Sequence, residues 1–189
     1  MSATDPISVV AILAGTVRLA VALLLFFAAL PKLRDPLTFT GVVANYRVLP
    51  RFMAAPFARA LPIAEIAVAI GLLLPMTARA ASLAAATLLL AFAIAIGINI
   101  ARGRSEIDCG CHNGDRAQPL QKAMVWRNVL IAAMLAASTF TPTITPVSAA
   151  AAAAFGLALA AGSGFYLLGH VIEQIWAIEA AARRRKMGS

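Results

Sequence analysis

The chain reads as an all-α, polytopic bundle of membrane-spanning helices, and three observations carry that reading. Mean hydropathy is +0.86 and 61% of residues are apolar, against roughly 45–50% in soluble domains. Only 13% are charged. The apolar residues gather into five runs, at about 7–31, 57–75, 79–101, 124–141 and 147–170, most of them near the ~20 residues that a helix needs to cross a ~30 Å hydrocarbon core. Lipid offers no partners to a bare backbone, so such runs fold as helices. Residues 1–189 are expected to form a single integral membrane domain of five transmembrane helices.

The first run has no basic, short-apolar, small-residue leader before it, and is read as a permanent helix and not a cleaved signal. Pro36 to Leu49 is too polar to cross. Within it Phe39, Val42, Val43 and Tyr46 recur at helical spacing, which predicts a short helix over 36–49 lying in the interface or over the bundle, as a connector or a substrate gate. Pro62 and Pro75 bracket the core of the second run, where Glu65 to Ile70 continues a helical pattern. The third and fourth runs enclose a polar loop at 102–123. The fifth is alanine-rich, including Ala149 to Ala154, a composition that favours helix. Its Gly156, Ala160 and Gly164 form a small-residue stripe that permits close helix approach, within the bundle or in a dimer.

Lysine and arginine number 16 against 8 acids. On a chain this apolar the +8 balance reflects loops on one side of a membrane and not a nucleic-acid surface. With five spans, Lys32, Arg34, Arg47, Arg51, Arg59, Arg102, Arg104, Arg116, Lys122, Arg127 and the terminal Arg183 to Lys186 share one side. The other side holds only Arg79. The positive-inside rule then predicts N-terminus out and C-terminus in, with the 102–123 loop at the cytoplasmic face.

Two charges fall inside the runs. Arg18 and Glu65 lie near the middle of the first and second spans, so they are expected to meet near the midplane as an intramembrane pair. An ionisable group there costs at least ~2.5–3.5 kcal/mol on insertion scales, and an opposite charge at matching depth would offset it. The pair would either set helix register or line a polar cavity suited to a quinone head group or a proton. Asn99, Arg127, Asn128, His170, Glu173 and Gln174 are expected at the same face as the 102–123 loop, as caps, snorkelling side chains or parts of a site.

Cys109 and Cys111, in Asp108-Cys109-Gly110-Cys111-His112, are the only cysteines. A disulfide between positions i and i+2 closes a small, strained ring that the central glycine makes feasible. Strain raises reduction potential and suits a labile or catalytic bond. Arg102, Arg104 and His112 would favour the thiolate, whereas Asp108 would oppose it. The alternatives are a metal site, with Cys109, Cys111 and His112 as ligands and Asp108 or His170 completing the set, and an inert loop. The residues themselves require no cofactor.

Lys32-Leu33-Arg34-Asp35-Pro36 with Phe39, Tyr46, Leu49 and Pro50, Leu61-Pro62 with Glu65, and Asp108-Cys109-Gly110-Cys111 with Trp126-Arg127-Asn128 together resemble the MauE/DoxX-like family of redox-associated membrane proteins, over roughly residues 7 to 141. The resemblance implies a DoxX-like four-helix core with one added C-terminal helix, in a bacterial inner membrane. It also implies a role in thiol–disulfide chemistry, supporting maturation of the methylamine dehydrogenase small subunit beside a thioredoxin-like protein. Cys109 and Cys111 would be the redox pair, with Arg127, Asn128 and Glu65 in support. His112 departs from the aromatic residue expected after the second cysteine, and it keeps metal handling open. A non-catalytic scaffold for a soluble oxidoreductase is the third reading.

Overall fold

A computed structural model describes residues 9–107 and 120–141, together with the isolated positions Ala153, Gly156, Ala160, Gly164 and Val171. Five helices make up the described continuous segments: α1 (Val9–Arg34), α2 (Pro36–Tyr46), α3 (Arg51–Leu73), α4 (Ala78–Ala101) and α5 (Lys122–Ser138). Of these, α1, α3 and α4 are long and apolar enough to cross a membrane. At 17 residues, α5 extends about 25 Å at ~1.5 Å per residue, the lower limit for a spanning helix. The expected fifth span, 147–170, lies almost wholly outside the described residues.

The helices bury mostly alanines with a few leucines among them, and many large apolar side chains face outward. In α4 the buried positions are Ala78, Ala81, Ser82, Ala85, Ala86, Leu89, Ala93, Ile96 and Asn99, one stripe at helical period, while Leu83, Leu90 and Ile94 are exposed. Where both core and surroundings are apolar, helices associate through close packing, and small residues let their backbones approach. Contacts run in a ring: α1 packs on α3, α3 on α4, α4 on α5, and α5 returns to α1. The α1/α3 and α4/α5 pairs are the most extensive, and the α5/α1 seam is the slightest of the four. One core cluster joins Val21, Ala22 and Leu25 of α1 to Ala69 and Leu72 of α3, Ala85 and Leu89 of α4, and Ala132 and Leu135 of α5.

Asp35 separates α1 from α2 and caps the latter. Its carboxylate accepts the Thr38 N–H at 3.0 Å, and Pro36 occupies the first helical position, where a missing N–H costs nothing. Hydrogen bonds from Thr38, through its side chain and then its backbone, hold the Asp35 carboxyl below its usual range. Phe39 on α2 is buried against Ala58 and Leu61 of α3, with Val42 and Val43 beside it, so the expected apolar face of this short helix packs over the bundle. Arg47 ends α2 in the left-handed conformation, at φ 49°.

The α3–α4 connection is a tight turn. Thr77 donates its hydroxyl to the Gly71 carbonyl at 2.8 Å and its N–H to the Leu74 carbonyl at 3.1 Å. A Cβ at Gly71 would stand 3.0 Å from the Ala81 Cβ, so here only glycine allows α3 and α4 their approach. In contrast Gly156, Ala160 and Gly164 are helical and exposed, and a Cβ at either glycine would meet nothing within 4 Å. No described residue covers the stripe.

Replacing Gly71 by valine should cost about 1–3 kcal/mol through overpacking. Gly97→Ala, at a helical site where a Cβ meets nothing within 4 Å, should be neutral or stabilise by up to ~1 kcal/mol. Reversible unfolding in mixed detergent micelles measures both. Because the Asp35 carboxyl is depressed in the folded state, its capping contribution is present above the ordinary carboxylate range and is lost as pH falls through the folded value. The protection of the Thr38 amide, its exchange rate relative to the intrinsic rate at the same pH, should therefore fall on acidification in the wild type, and far less in Asp35→Asn.

Candidate functional site

The deepest polar feature is an ion pair between Lys32 of α1 and Glu65 of α3, their side chains 4% and 0% exposed. Lys32 Nζ donates to Glu65 Oε1. The same ammonium lies over two aromatic rings, 5.3 Å from the Phe39 centroid and 5.4 Å from that of Phe92. The cation thus meets a carboxylate on one side and the negative faces of two rings on others. Glu65 Oε2 is buried with no hydrogen-bond partner among the described residues.

The expected Arg18–Glu65 pair does not form. Arg18 is buried, but its Nη2 donates to the carbonyl of Ser138, the last residue of α5. A guanidinium suits this place because a helix C-terminus carries roughly half a negative charge on its unpaired carbonyls. The reason is register: α1 and α3 do not enter the membrane at one level, because α3 begins at Arg51 and its early turns pack against α2. Glu65 is thereby level with the end of α1, and Arg18 lies four turns away, roughly 21 Å at ~1.5 Å per residue.

Lys32, expected among the loop cations, is part of the interior. A signal for it was present in the sequence. Ala11, Ala14, Arg18, Val21, Leu25 and Lys32 follow a three–four spacing that places them on one face of α1, and all are buried. Nothing comparable marked Phe39 and Phe92 as walls of the site, since an aromatic residue at helical spacing reads simply as core.

The cysteine loop itself, with Asp108, Cys109, Cys111 and His112, lies outside the described residues, as do His170, Glu173 and Gln174. Its base is described. The Leu120 N–H donates to the Ser105 carbonyl at 2.8 Å, and Leu120 is buried, so the two ends of the loop are held together where α4 leaves and α5 begins. Buried Asn99 anchors the outgoing strand of chain: its carbonyl accepts the Arg104 N–H at 2.9 Å, and its side-chain oxygen accepts from Arg104 Nη1 at 3.4 Å. Arg102 donates to the Arg47 carbonyl at 3.2 Å, placing the α2–α3 corner beside the loop base. Asn128 is buried near the start of α5, and Arg127 beside it is half-buried. Phe92 lies two turns before Asn99 on α4, about 10 Å at ~1.5 Å per residue, so the ion pair sits beneath the loop base.

Removing one member of the pair strands a charge in an apolar interior. Lys32→Met or Glu65→Leu alone should each destabilise by about 3–5 kcal/mol, whereas the double substitution should recover most of that loss. Unfolding free energies of the two single variants and the double variant check the expected coupling.

No solved structure matches the chain. The family described as Methylamine utilisation protein MauE matches residues 10–141. Among curated proteins, the methylamine utilization protein MauE of Paracoccus denitrificans is 41% identical over 170 residues, covering 89% of this chain and 91% of that protein. That of Methylorubrum extorquens is 45% identical over 116 residues, or 61% of this chain and 62% of that protein. The Paracoccus versutus protein is 43% identical over 142 residues, 75% of each chain. A match of this extent to the family, on an all-helical chain with three helices apolar enough to span a membrane, establishes that the protein belongs to the MauE family.

Proposed function

We propose that this protein is a membrane-embedded thiol–disulfide redox component of methylamine utilisation, and that Cys109 and Cys111 carry its chemistry. The observation that carries the proposal is the position of the chain's only cysteine pair, separated by one glycine, in a loop whose base is closed by the Leu120–Ser105 hydrogen bond. The closed base fixes where the chain leaves the bundle after α4 and returns to it before α5. Arg104 near that base adds a positive charge that favours thiolate formation.

In the proposed exchange, a thiolate of a partner dithiol attacks one sulfur of the Cys109–Cys111 disulfide, and the other sulfur leaves as a thiolate. The second partner thiolate then resolves the mixed disulfide. The partner emerges oxidised by two electrons, and Cys109 and Cys111 emerge as a dithiol. A lipid-soluble acceptor of the quinone class would regenerate the disulfide by taking two electrons and two protons. The names of the relatives point to methylamine utilisation as the setting, and in this reading the small subunit of methylamine dehydrogenase is the final beneficiary and a thioredoxin-like protein the direct partner. The basic face that carries the loop would be cytoplasmic by charge bias, with the N-terminus out and the C-terminus in, in a bacterial inner membrane.

Thiol trapping in native membranes with a mass-adding maleimide tests the proposal. Cys109 and Cys111 should appear in both reduced and oxidised pools that shift together on adding oxidant, and Cys111→Ser or Cys109→Ser should accumulate a mixed disulfide with the partner. Two cysteines that stay reduced with every oxidant and partner would sink it, and stoichiometric metal lost in Cys109→Ser would favour a ligand role. An impermeant version of the same reagent reports which side the loop faces.

A further inference from the structure

At the end of the bundle that carries the cysteine loop, basic residues gather where helices start and stop. Arg47 follows α2, Arg51 opens α3, Arg102 follows α4 and Lys122 opens α5, and all of these side chains are exposed. Contacts hold them near one another. Arg102 Nη1 donates to the Arg47 carbonyl at 3.2 Å, and Arg51 lies four residues after Arg47. Leu120, two residues before Lys122, donates its N–H to the carbonyl of Ser105, three residues after Arg102. Arg104, half-buried with its Nη1 on the Asn99 side chain, adds a further charge.

The cations here far outnumber the acids. Among the acids of the described residues, Glu65 is buried in its pair with Lys32, Asp35 caps the opposite end of α2, and Glu106 alone stands at this end. Two helices end here and two begin, so their dipoles roughly cancel and leave the side-chain charge. Val48, between Arg47 and Arg51, is 42% exposed and sets an apolar side chain among them. Lipid covers the flanks of a bundle, whereas this surface consists of helix ends and connections, which hydrocarbon does not accommodate. It also adjoins the cysteine loop, whose base is closed by Ser105 and Leu120.

We propose that Arg47, Arg51, Arg102 and Lys122 form the docking surface for an acidic face of the soluble dithiol protein that exchanges with Cys109 and Cys111. This rests on the thiol–disulfide reading above, to which it adds the place and the charge of the partner's contact. Complementary charge speeds encounter and fixes orientation more than it tightens a complex, which suits a partner that must leave after each exchange.

Full-length protein in phosphatidylcholine nanodiscs, oxidised at the cysteine pair, tests the surface with two short dithiol peptides, one flanked by glutamates and one by lysines. Maleimide mass shift follows reduction of the pair. Each rate is taken relative to that peptide's rate on a small uncharged disulfide, because flanking charge alters thiol acidity. At low ionic strength the glutamate peptide should be favoured about tenfold or more, and the preference should fade as salt shortens the screening length from ~30 Å at 0.01 M to ~8 Å at 0.15 M. A triple variant carrying Arg47→Gln, Arg51→Gln and Lys122→Gln should lose most of the preference, whereas Arg79→Gln, at the opposite end of the bundle, should keep it. Arg102 stays in place because its bond to Arg47 holds the corner. Uncharged dithiothreitol should reduce wild type and variants at one rate, showing that each is folded with its disulfide formed. A pair that never forms a disulfide reducible by dithiothreitol overturns the redox reading itself, and the docking surface with it. Where dithiothreitol does act, equal peptide rates in the wild type, or a preference that survives the triple substitution, would overturn the docking surface alone. So would phosphatidylglycerol that stays bound through purification to the wild type and not to the triple variant, since that assigns the surface to lipid.

Discussion

A cation in hydrocarbon has to be met by something negative, and in this bundle the requirement is satisfied by contact between Lys32 and Glu65. Their pairing sets the register of α1 against α3, the first of the two extensive helix pairs. Once α1 is held so that its last turn is level with Glu65, α2 is carried onto the early turns of α3. The same register brings Arg18 to the end of α5. Two cations on one face of α1 thus find two kinds of compensation, a carboxylate for one and the carbonyls of a helix end for the other. The Arg18 contact also joins α5 to α1 across the slightest seam of the ring.

The ion pair is a different object from a surface salt bridge. Water does not screen it, and desolvation opposes it, so its value lies less in net stability than in the penalty on arrangements that leave either charge alone. Phe39 and Phe92 strengthen that selectivity, because the ammonium gains their ring faces only when α2 and α4 are also in place. Four helices are therefore tied together by one lysine. The apolar packing around it, rich in alanine, lets helices approach closely but discriminates weakly between registers, and a charge pair supplies the missing discrimination.

The two ends of the bundle differ in chemistry. At one end the α2–α3 corner and the base of the cysteine loop are joined through Arg102, and Asn99 ties the departing chain back to α4. The proposed redox pair would thus work from a closed base directly above the Lys32–Glu65 pair. At the other end the turn between α3 and α4 is short, closed by Thr77, and carries the exposed Met76.

Much of this was legible in the residues alone. Apolar runs located α1, α3, α4 and α5 because length and hydropathy are local properties that lipid enforces directly, and the spacing of Phe39, Val42, Val43 and Tyr46 identified α2 and its buried face. The Cys-Gly-Cys loop and the motifs around Lys32, Glu65 and Trp126 pointed to the family, which extended matches to MauE proteins established. What only the tertiary structure decided was the partner of each buried charge. Arg18 and Lys32 stand on the same face of α1, and Glu65 could have answered either. The choice depends on how far α3 slides along α1, and the pairing that fixes it forms together with the packing of α2 on α3 and of Phe92 over Lys32, contacts between segments far apart in the chain that no local pattern encodes.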